Sequence, residues 1–133
     1  MYFCRRKSKT YMAKKINNTD ILLENIITAI QDVKGKEIIS LDLRKIDSAI
    51  CDYFIVCTGT SNTHTNAIEN NITKHVSKSI GEKPFSIEGN RVGEWILIDY
   101  LDIVIHIFQE EIRKFYNIEE LWGDANFRNY KAC

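Results

Sequence analysis

Residues 95–125 read WILIDYLDIVIHIFQEEIRKFYNIEELWGDA, and this is the most informative stretch of the chain. Its first half is dense in β-branched and aromatic residues and predicts two strands buried on at least one face, while its second half predicts two short helices. The predicted bounds are 94–99, 102–108, 109–116 and 118–122. Asp99, Asp102 and His106 interrupt the apolar runs, and polar groups in such surroundings need partners. The stretch therefore indicates either a recognition surface or a chemical site.

Upstream of this stretch, some segments space their apolar residues as a helix does and others as a strand does. Thr19 can cap a helix that begins at Asp20 and ends before Gly35. The next predicted elements are a strand over 37–43, a central strand over 52–59, a helix over 63–80 and a short strand over 85–88. This order predicts an α/β or α+β domain, with a single mixed sheet of about five strands flanked by helices.

Composition limits the classes of protein to which the chain can belong. Its 133 residues fit one domain, and 44% hydrophobic with 27% charged residues is ordinary for a globular chain. No apolar run reaches 18 residues, so no transmembrane helix and no membrane partner is expected. The four cysteines form no C-x-x-C pair, and Cys51 and Cys57 lie in or beside apolar runs. We expect reduced, buried thiols, no metal or other cofactor, and a cytoplasmic location.

Charge is balanced overall but unevenly distributed along the chain. Residues 1–18 carry six bases and no acids, which predicts a flexible basic tail that is either an arm for RNA or passive. Residues 85–124 carry three bases and nine acids. An acidic body repels phosphate backbones, so DNA is not an expected partner. A basic protein surface would suit this half better.

The turn Thr58-Gly59-Thr60-Ser61 joins a predicted strand to a predicted helix. Free backbone N–H groups there could hold an anion, and the turn resembles the glycine-serine turn of nucleotidyltransferases. Those enzymes need paired carboxylates on a nearby strand to hold two metal ions, but downstream of the turn Glu69 stands alone. The turn is better interpreted as a tight connection with a helix cap. A degenerate nucleotidyltransferase or nucleotide-binding protein is kept as the alternative function.

Two further candidates for chemistry have structural interpretations beside the functional ones. Asp99 and Asp102 could pair on a metal, but three-residue spacing places them on opposite sides of a strand, which favours a turn. His106 could be a general base, although a buried, hydrogen-bonded structural histidine is the more common case. No serine or cysteine has a convincing histidine and acid partner, so the sequence predicts no enzyme.

Aromatic residues are frequent in residues 95–125. Trp95, Tyr100, Tyr116 and Trp122 lie among acids within fewer than 30 residues. They suit a hydrophobic core and a protein interface equally well, since interfaces are enriched in aromatic residues.

Several blocks, in this order, resemble the ribosomal silencing factor (Iojap) family over residues 20–124. They are DYFIVCTGTS (52–61), EG (88–89), WILIDY (95–100), DIVIHIF (102–108), RKFY (113–116) and LW (121–122). One departure is Leu101, where the family usually has glycine between the tyrosine and the aspartate.

The resemblance implies a nucleotidyltransferase-like fold without catalytic acids, in a domain over 19–124 between the tail of 1–18 and a C-terminal tail of 125–133. It implies a homodimeric translation repressor that binds the large ribosomal subunit through its fourteenth protein and blocks joining of the small subunit. By family analogy and local chemistry, the expected contact residues are Trp95, Asp99, Tyr100, Asp102, Arg113, Tyr116, Glu119 and Trp122.

Overall fold

Six strands form one mixed sheet in the computed structural model, which describes residues 9–132 and the side chains of 19–132. The strands are β1 (Lys36–Asp42), β2 (Tyr53–Gly59), β3 (Ser86–Glu88), β4 (Trp95–Asp99), β5 (Ile103–Gln109) and β6 (Asn126–Tyr130). Their order in the sheet is β3-β4-β5-β2-β1-β6. The central strands β2 and β5 pair in parallel, and every other neighbouring pair is antiparallel. The predicted single mixed sheet flanked by helices is confirmed.

Four helices accompany the sheet. They are α1 (Lys9–Asp32), α2 (Asn62–Ile80), α3 (Glu110–Tyr116) and α4 (Ile118–Leu121). The apolar stripes of α1 and α2 share one core cluster with alternate residues of β2, β4 and β5. Residues of α3 and α4 join a second cluster built from the other alternate residues. The sheet therefore carries two long helices on one face and two short ones on the other.

The central strand and the helix that follows it agree with the prediction. Every residue of β2 is buried, as expected for a continuously apolar strand in the middle of a sheet. The Ser61 side chain caps α2 by accepting a hydrogen bond from the His64 N–H at 3.1 Å. Gly81 ends the helix at φ +70°, where its N–H donates to the Ser77 carbonyl.

The first helix and the last strand differ from the prediction. Helix α1 begins at Lys9 instead of Asp20, so Thr19 lies inside the helix and does not cap it, while residues 1–8 of the predicted tail lie outside the described residues. Strand β6 forms within 125–133, where the sequence suggested a tail, and it raises the strand count to six. Its five residues, NFRNY, are mostly exposed and show no apolar alternation, so their pairing with β1 left no signal in the sequence.

The predicted turn between β4 and β5 is confirmed, and its geometry is strained. Leu101 adopts φ +76°, in the left-handed region that L-residues avoid. The Asp99 carboxylate accepts a hydrogen bond from the Leu101 N–H at 2.8 Å, which holds the turn together. A side chain with a Cβ atom is therefore kept in a conformation that glycine would adopt without strain.

We expect Leu101→Gly to stabilise the protein by up to about 1 kcal/mol, because the relief of left-handed strain outweighs the extra chain entropy of glycine. Urea denaturation followed by circular dichroism would measure the change. Leu101→Ala is the control, since it keeps Cβ and the strain; an alanine variant as stable as the glycine variant would contradict the explanation.

Candidate functional site

The two faces of the sheet are covered unequally. One face lies under α1 and α2, which are 24 and 19 residues long. The opposite face, which we call the open face, is contacted by α3 and α4, of 7 and 4 residues, and by part of the loop over 43–52. Its sheet residues include Ile39, Leu41, Phe54, Val56, Trp95, Leu97, Val104, His106 and Phe108.

Trp95 is at the start of β4 and is half-buried on the open face. Its indole Nε1 donates a hydrogen bond to Nδ1 of His106 on β5, at 3.1 Å. Its ring lies 4.7 Å from the ring of Tyr116 and 4.9 Å from that of Phe108, between ring centroids. These contacts hold the ring between two elements, because His106 and Phe108 belong to β5 and Tyr116 belongs to α3.

The aromatic contacts continue across the sheet to β2. The His106 ring meets the Phe54 ring edge-on with centroids 4.7 Å apart, and Phe54 in turn meets Trp122 at 5.8 Å. We call the residues joined in this way the aromatic row: Tyr116, Trp95, His106, Phe54 and Trp122. The row unites three of the sequence-predicted contact residues and adds Phe54 and His106, which the sequence analysis did not place at an interface.

Arg113 holds α3 against the sheet. Its guanidinium donates to the Thr58 hydroxyl and to the Glu37 carbonyl, each at 2.8 Å. It also donates to both carboxylate oxygens of Glu119 at 3.2 Å. The Arg113 side chain is only about one-tenth exposed. Of the predicted contact residues, Arg113 and Glu119 therefore brace the helix that carries Tyr116.

The structure does not bring the other three predicted contact residues to the aromatic row. Asp99 is only 1% exposed at the far end of β4, about 13 Å along the strand from Trp95. Tyr100 is buried in the cluster beneath α1 and α2, on the other side of the sheet, where burial raises its pKa. Asp102 is half-buried in the turn, and its carbonyl accepts the N–H groups of Asp52 and Tyr53.

Exposed apolar side chains lie close to the row in the chain. Phe115 and Leu121 are 79% and 76% exposed, and Tyr116 is 48% exposed. On β6, Phe127 is 44% exposed and pairs with Leu41, so its side chain shares the open face. Apart from Tyr116, the sequence analysis missed these residues, since exposure of an apolar side chain depends on how the short helices pack.

Two backbone N–H groups at the Thr58–Ser61 turn and the start of α2 are already hydrogen-bonded within the chain. The Thr60 N–H donates to His64 Nδ1 at 2.9 Å, and the His64 N–H is taken by the Ser61 cap. A Cβ added to Gly59 would meet the Thr65 side chain at 2.7 Å, which shows that strand and helix pack closely. The tight connection predicted from the sequence is confirmed.

Beside this turn lies a cleft of about 690 Å³. Its lining includes four acids and one base: Glu37, Glu94, Glu110, Glu111 and Lys36. This balance of charge disfavours a nucleotide triphosphate. Within residues 9–132, no group of three or more His, Cys, Asp or Glu side chains could hold a metal ion. No helix in that part of the chain is long and apolar enough to cross a membrane.

Comparison with known proteins assigns the chain to a family. A family described as "Ribosomal silencing factor during starvation" matches residues 16–132. The chain belongs to the ribosomal silencing factor family. The ribosomal silencing factor of Bacillus subtilis is 34% identical over 108 residues, which cover 81% of this chain and 90% of that protein. The factor of Halalkalibacterium halodurans is 36% identical, over 78% of this chain and 87% of that protein.

The structural comparison agrees with the sequence comparison. A crystal structure of a Chromobacterium violaceum protein superposes with a TM-score of 0.74 at 36% identity, covering 78% of this chain and 85% of that one. The resemblance found in the sequence is thus confirmed, both as a family and as a fold. Ribosomal silencing factors are ribosome-associated regulators of translation, and no catalytic role is attached to the family names.

In this member of the ribosomal silencing factor family, burial sets the protonation states of His106, Cys51 and Cys57. Desolvation lowers the pKa of His106 from 6.5 to about 4, so its ring is neutral at pH 7. Because an indole can only donate, Nδ1 is the acceptor and Nε2 carries the proton. Desolvation also raises the pKa of Cys51 and Cys57 to about 12, which keeps both thiols protonated. His106 is thus the buried, hydrogen-bonded histidine of the structural interpretation.

The free energy of unfolding should fall as the pH decreases from about 6.5 to about 4, by roughly 3 kcal/mol through His106 alone. The sign follows because the unfolded chain binds a proton in this window while the folded ring stays neutral. Denaturation of wild type and His106→Asn at each pH would isolate the effect, since the other groups titrate in both proteins. Parallel profiles would contradict the assignment.

Arg113→Met should destabilise the protein by about 2 to 3 kcal/mol, because it removes the hydrogen bonds that tie α3 to β2 and leaves Glu119 without its cation. The neighbouring Lys114→Met is the matched control. Lys114 is exposed and pairs with exposed Glu110, so its loss should change stability by less than about 0.5 kcal/mol. Equal effects in chemical denaturation would show that Arg113 is not a brace.

Proposed function

We propose that this protein represses translation by binding the large ribosomal subunit through that subunit's fourteenth protein, so that the small subunit cannot join. In this proposal the open face is the docking surface and the protein performs no catalysis. It acts as a homodimer, as the family resemblance implies, and in the cytoplasm, as the reduced cysteines suggest. Membership of the ribosomal silencing factor family supports the partner, and the aromatic row supports the surface.

The half-exposed pair of Trp95 and Tyr116 is the observation that carries the choice of surface. Aromatic side chains that are already packed on one side lose little conformational freedom on binding, and they bury a large area. They are accordingly enriched among the residues that dominate binding energy. Exposed Phe115 and Leu121, on the two short helices, can extend the apolar contact beyond the pair.

Charge around the row favours a basic partner. Glu94 directly precedes Trp95, and the first turns of α3 and α4 hold Glu110, Glu111, Glu119 and Glu120, of which Glu119 is paired with Arg113. A protein that folds on ribosomal RNA presents a basic surface, so the two would attract each other. Such complementarity accelerates encounter and sets orientation more than it adds to final affinity.

The alternative, a degenerate nucleotidyltransferase or nucleotide-binding protein, has less support. Two amides of the Thr58–Ser61 turn region are already paired within the chain, and the adjacent cleft is lined mainly by acids. Calorimetry with millimolar nucleotide and a divalent cation would detect such a site. Heat of binding that disappears in a Thr60 variant would favour this alternative.

The sequence analysis placed Asp99 and Tyr100 at the contact. Because these side chains are 1% and 4% exposed, we infer that substituting them would weaken binding through the fold rather than through lost contacts. The surface proposed here is therefore centred on Trp95 and Tyr116, with Trp122 at the other end of the row.

Trp95→Ala should weaken binding to isolated large subunits by about 30-fold or more, because it removes the central ring of the docking surface. Co-sedimentation measures the binding, and small subunits added afterwards report how many ribosomes can still join. Phe85→Ala is the matched control, since Phe85 is an aromatic residue that is 63% exposed outside the open face. It should bind and block like wild type.

The two proteins should first be shown by circular dichroism to have the same fold. Tight binding by folded Trp95→Ala would eliminate the proposed surface. Absence of any binding by wild type would eliminate the proposed function.

A further inference from the structure

We propose that His106 is a positioning residue for docking: its Nδ1 accepts the Trp95 indole N–H and holds that ring in the orientation that the partner meets. This inference rests on the proposed function, because it concerns the same surface. It adds a buried residue, which does not itself meet the partner, to the residues that determine binding.

The hydrogen bond between the two rings is diagonal across the strands. Trp95 lies directly opposite Phe108 and His106 lies directly opposite Leu97, so the indole must lean along the sheet to reach the imidazole. The 3.1 Å bond between Nε1 and Nδ1 fixes that direction, and the contact with Tyr116 limits the other side. Without the bond, the indole N–H of a half-exposed Trp95 could turn to water. Part of the ordering that docking requires is thus completed in the free protein.

The second nitrogen of His106 shows that the ring is not there for packing alone. Nε2 is buried and has no hydrogen-bond partner among the described residues. A buried donor without a partner costs free energy, and an apolar side chain of similar size would avoid that cost. Histidine at this position is therefore a worse choice for stability than leucine, yet it supplies the acceptor that leucine lacks. The hydrogen bond that Nδ1 accepts from the Trp95 indole N–H offsets this cost.

A pair of substitutions separates positioning from packing. In His106→Asn the amide oxygen is bonded to Cγ, as Nδ1 is, so the acceptor remains although the ring volume is lost. In His106→Leu most of the volume remains and the acceptor is lost. If His106 only packs, leucine should be the better replacement in every assay. If His106 positions Trp95, the order of binding should be opposite to the order of stability.

The experiment measures co-sedimentation with large subunits, the free energy of unfolding, and the indole resonances in a proton–nitrogen correlation spectrum. We expect His106→Leu to be at least as stable as His106→Asn but to bind about tenfold more weakly than wild type. His106→Asn should bind within about threefold of wild type. The Trp95 indole resonance, assigned with Trp95→Phe, should move in the leucine variant and stay near its wild-type position in the asparagine variant.

As a control, His106→Asn and His106→Leu are each combined with Trp95→Phe. Phenylalanine has no N–H to donate, so the asparagine and leucine variants should then bind equally. A difference that persists in this background would overturn the inference, as would equal binding of the two variants when Trp95 is present. In both cases wild type still binds, and the proposed function stands. Failure of wild type itself to sediment with large subunits would overturn both.

Discussion

The parallel pairing of β2 with β5 at the centre of the sheet constrains everything built around it. Parallel neighbours cannot be joined by a tight turn, so the chain must cross over one face of the sheet between them. Here α2 makes that crossing, and α1 packs beside it on the same face. Helices α3 and α4, which come after β5, are too short to cover the other face completely. The exposed aromatic surface is thus a consequence of topology as much as of composition.

The brace of α3 connects this topology to the proposed docking surface. Arg113 ties the helix to Thr58 on β2, at the end of the strand where the crossover to α2 begins. Tyr116 on the same helix packs against Trp95 on β4. A single guanidinium therefore sets the position of one side of the aromatic row. Loss of a contact buried below the surface can weaken docking without touching any group that meets the partner.

Much of the fold could be predicted from local sequence, because the apolar spacing and the capping residues of its main elements lie within or beside those elements. The apolar run of β2, the two strands around Tyr100 and the caps at Ser61 and Gly81 all appear within a few residues of the elements they define. Strand β6 left no such signal, since its stability comes from pairing with a strand more than 80 residues earlier.

The site was harder to predict, because it depends on register between distant strands. The sequence could place Trp95 and Trp122 near an interface, but it left core and surface equally open. It could not show that Phe54 and His106 join them, since their contact follows from the parallel register of β2 and β5. Tyr100 is a different case, since its position follows from local alternation: it lies at odd spacing from Trp95 and therefore on the opposite side of the sheet.

The burial of Cys51 and Cys57 has a consequence for how the protein responds to an oxidant. Desolvation raises the pKa of both thiols to about 12, so both stay protonated at pH 7, whereas the thiolate is the form that attacks peroxide. Cys51 and Cys57 are also buried, so an oxidant reaches them only when the chain opens. Their oxidation therefore depends on opening of the fold, and in the folded chain both thiols should stay reduced while the environment turns oxidising.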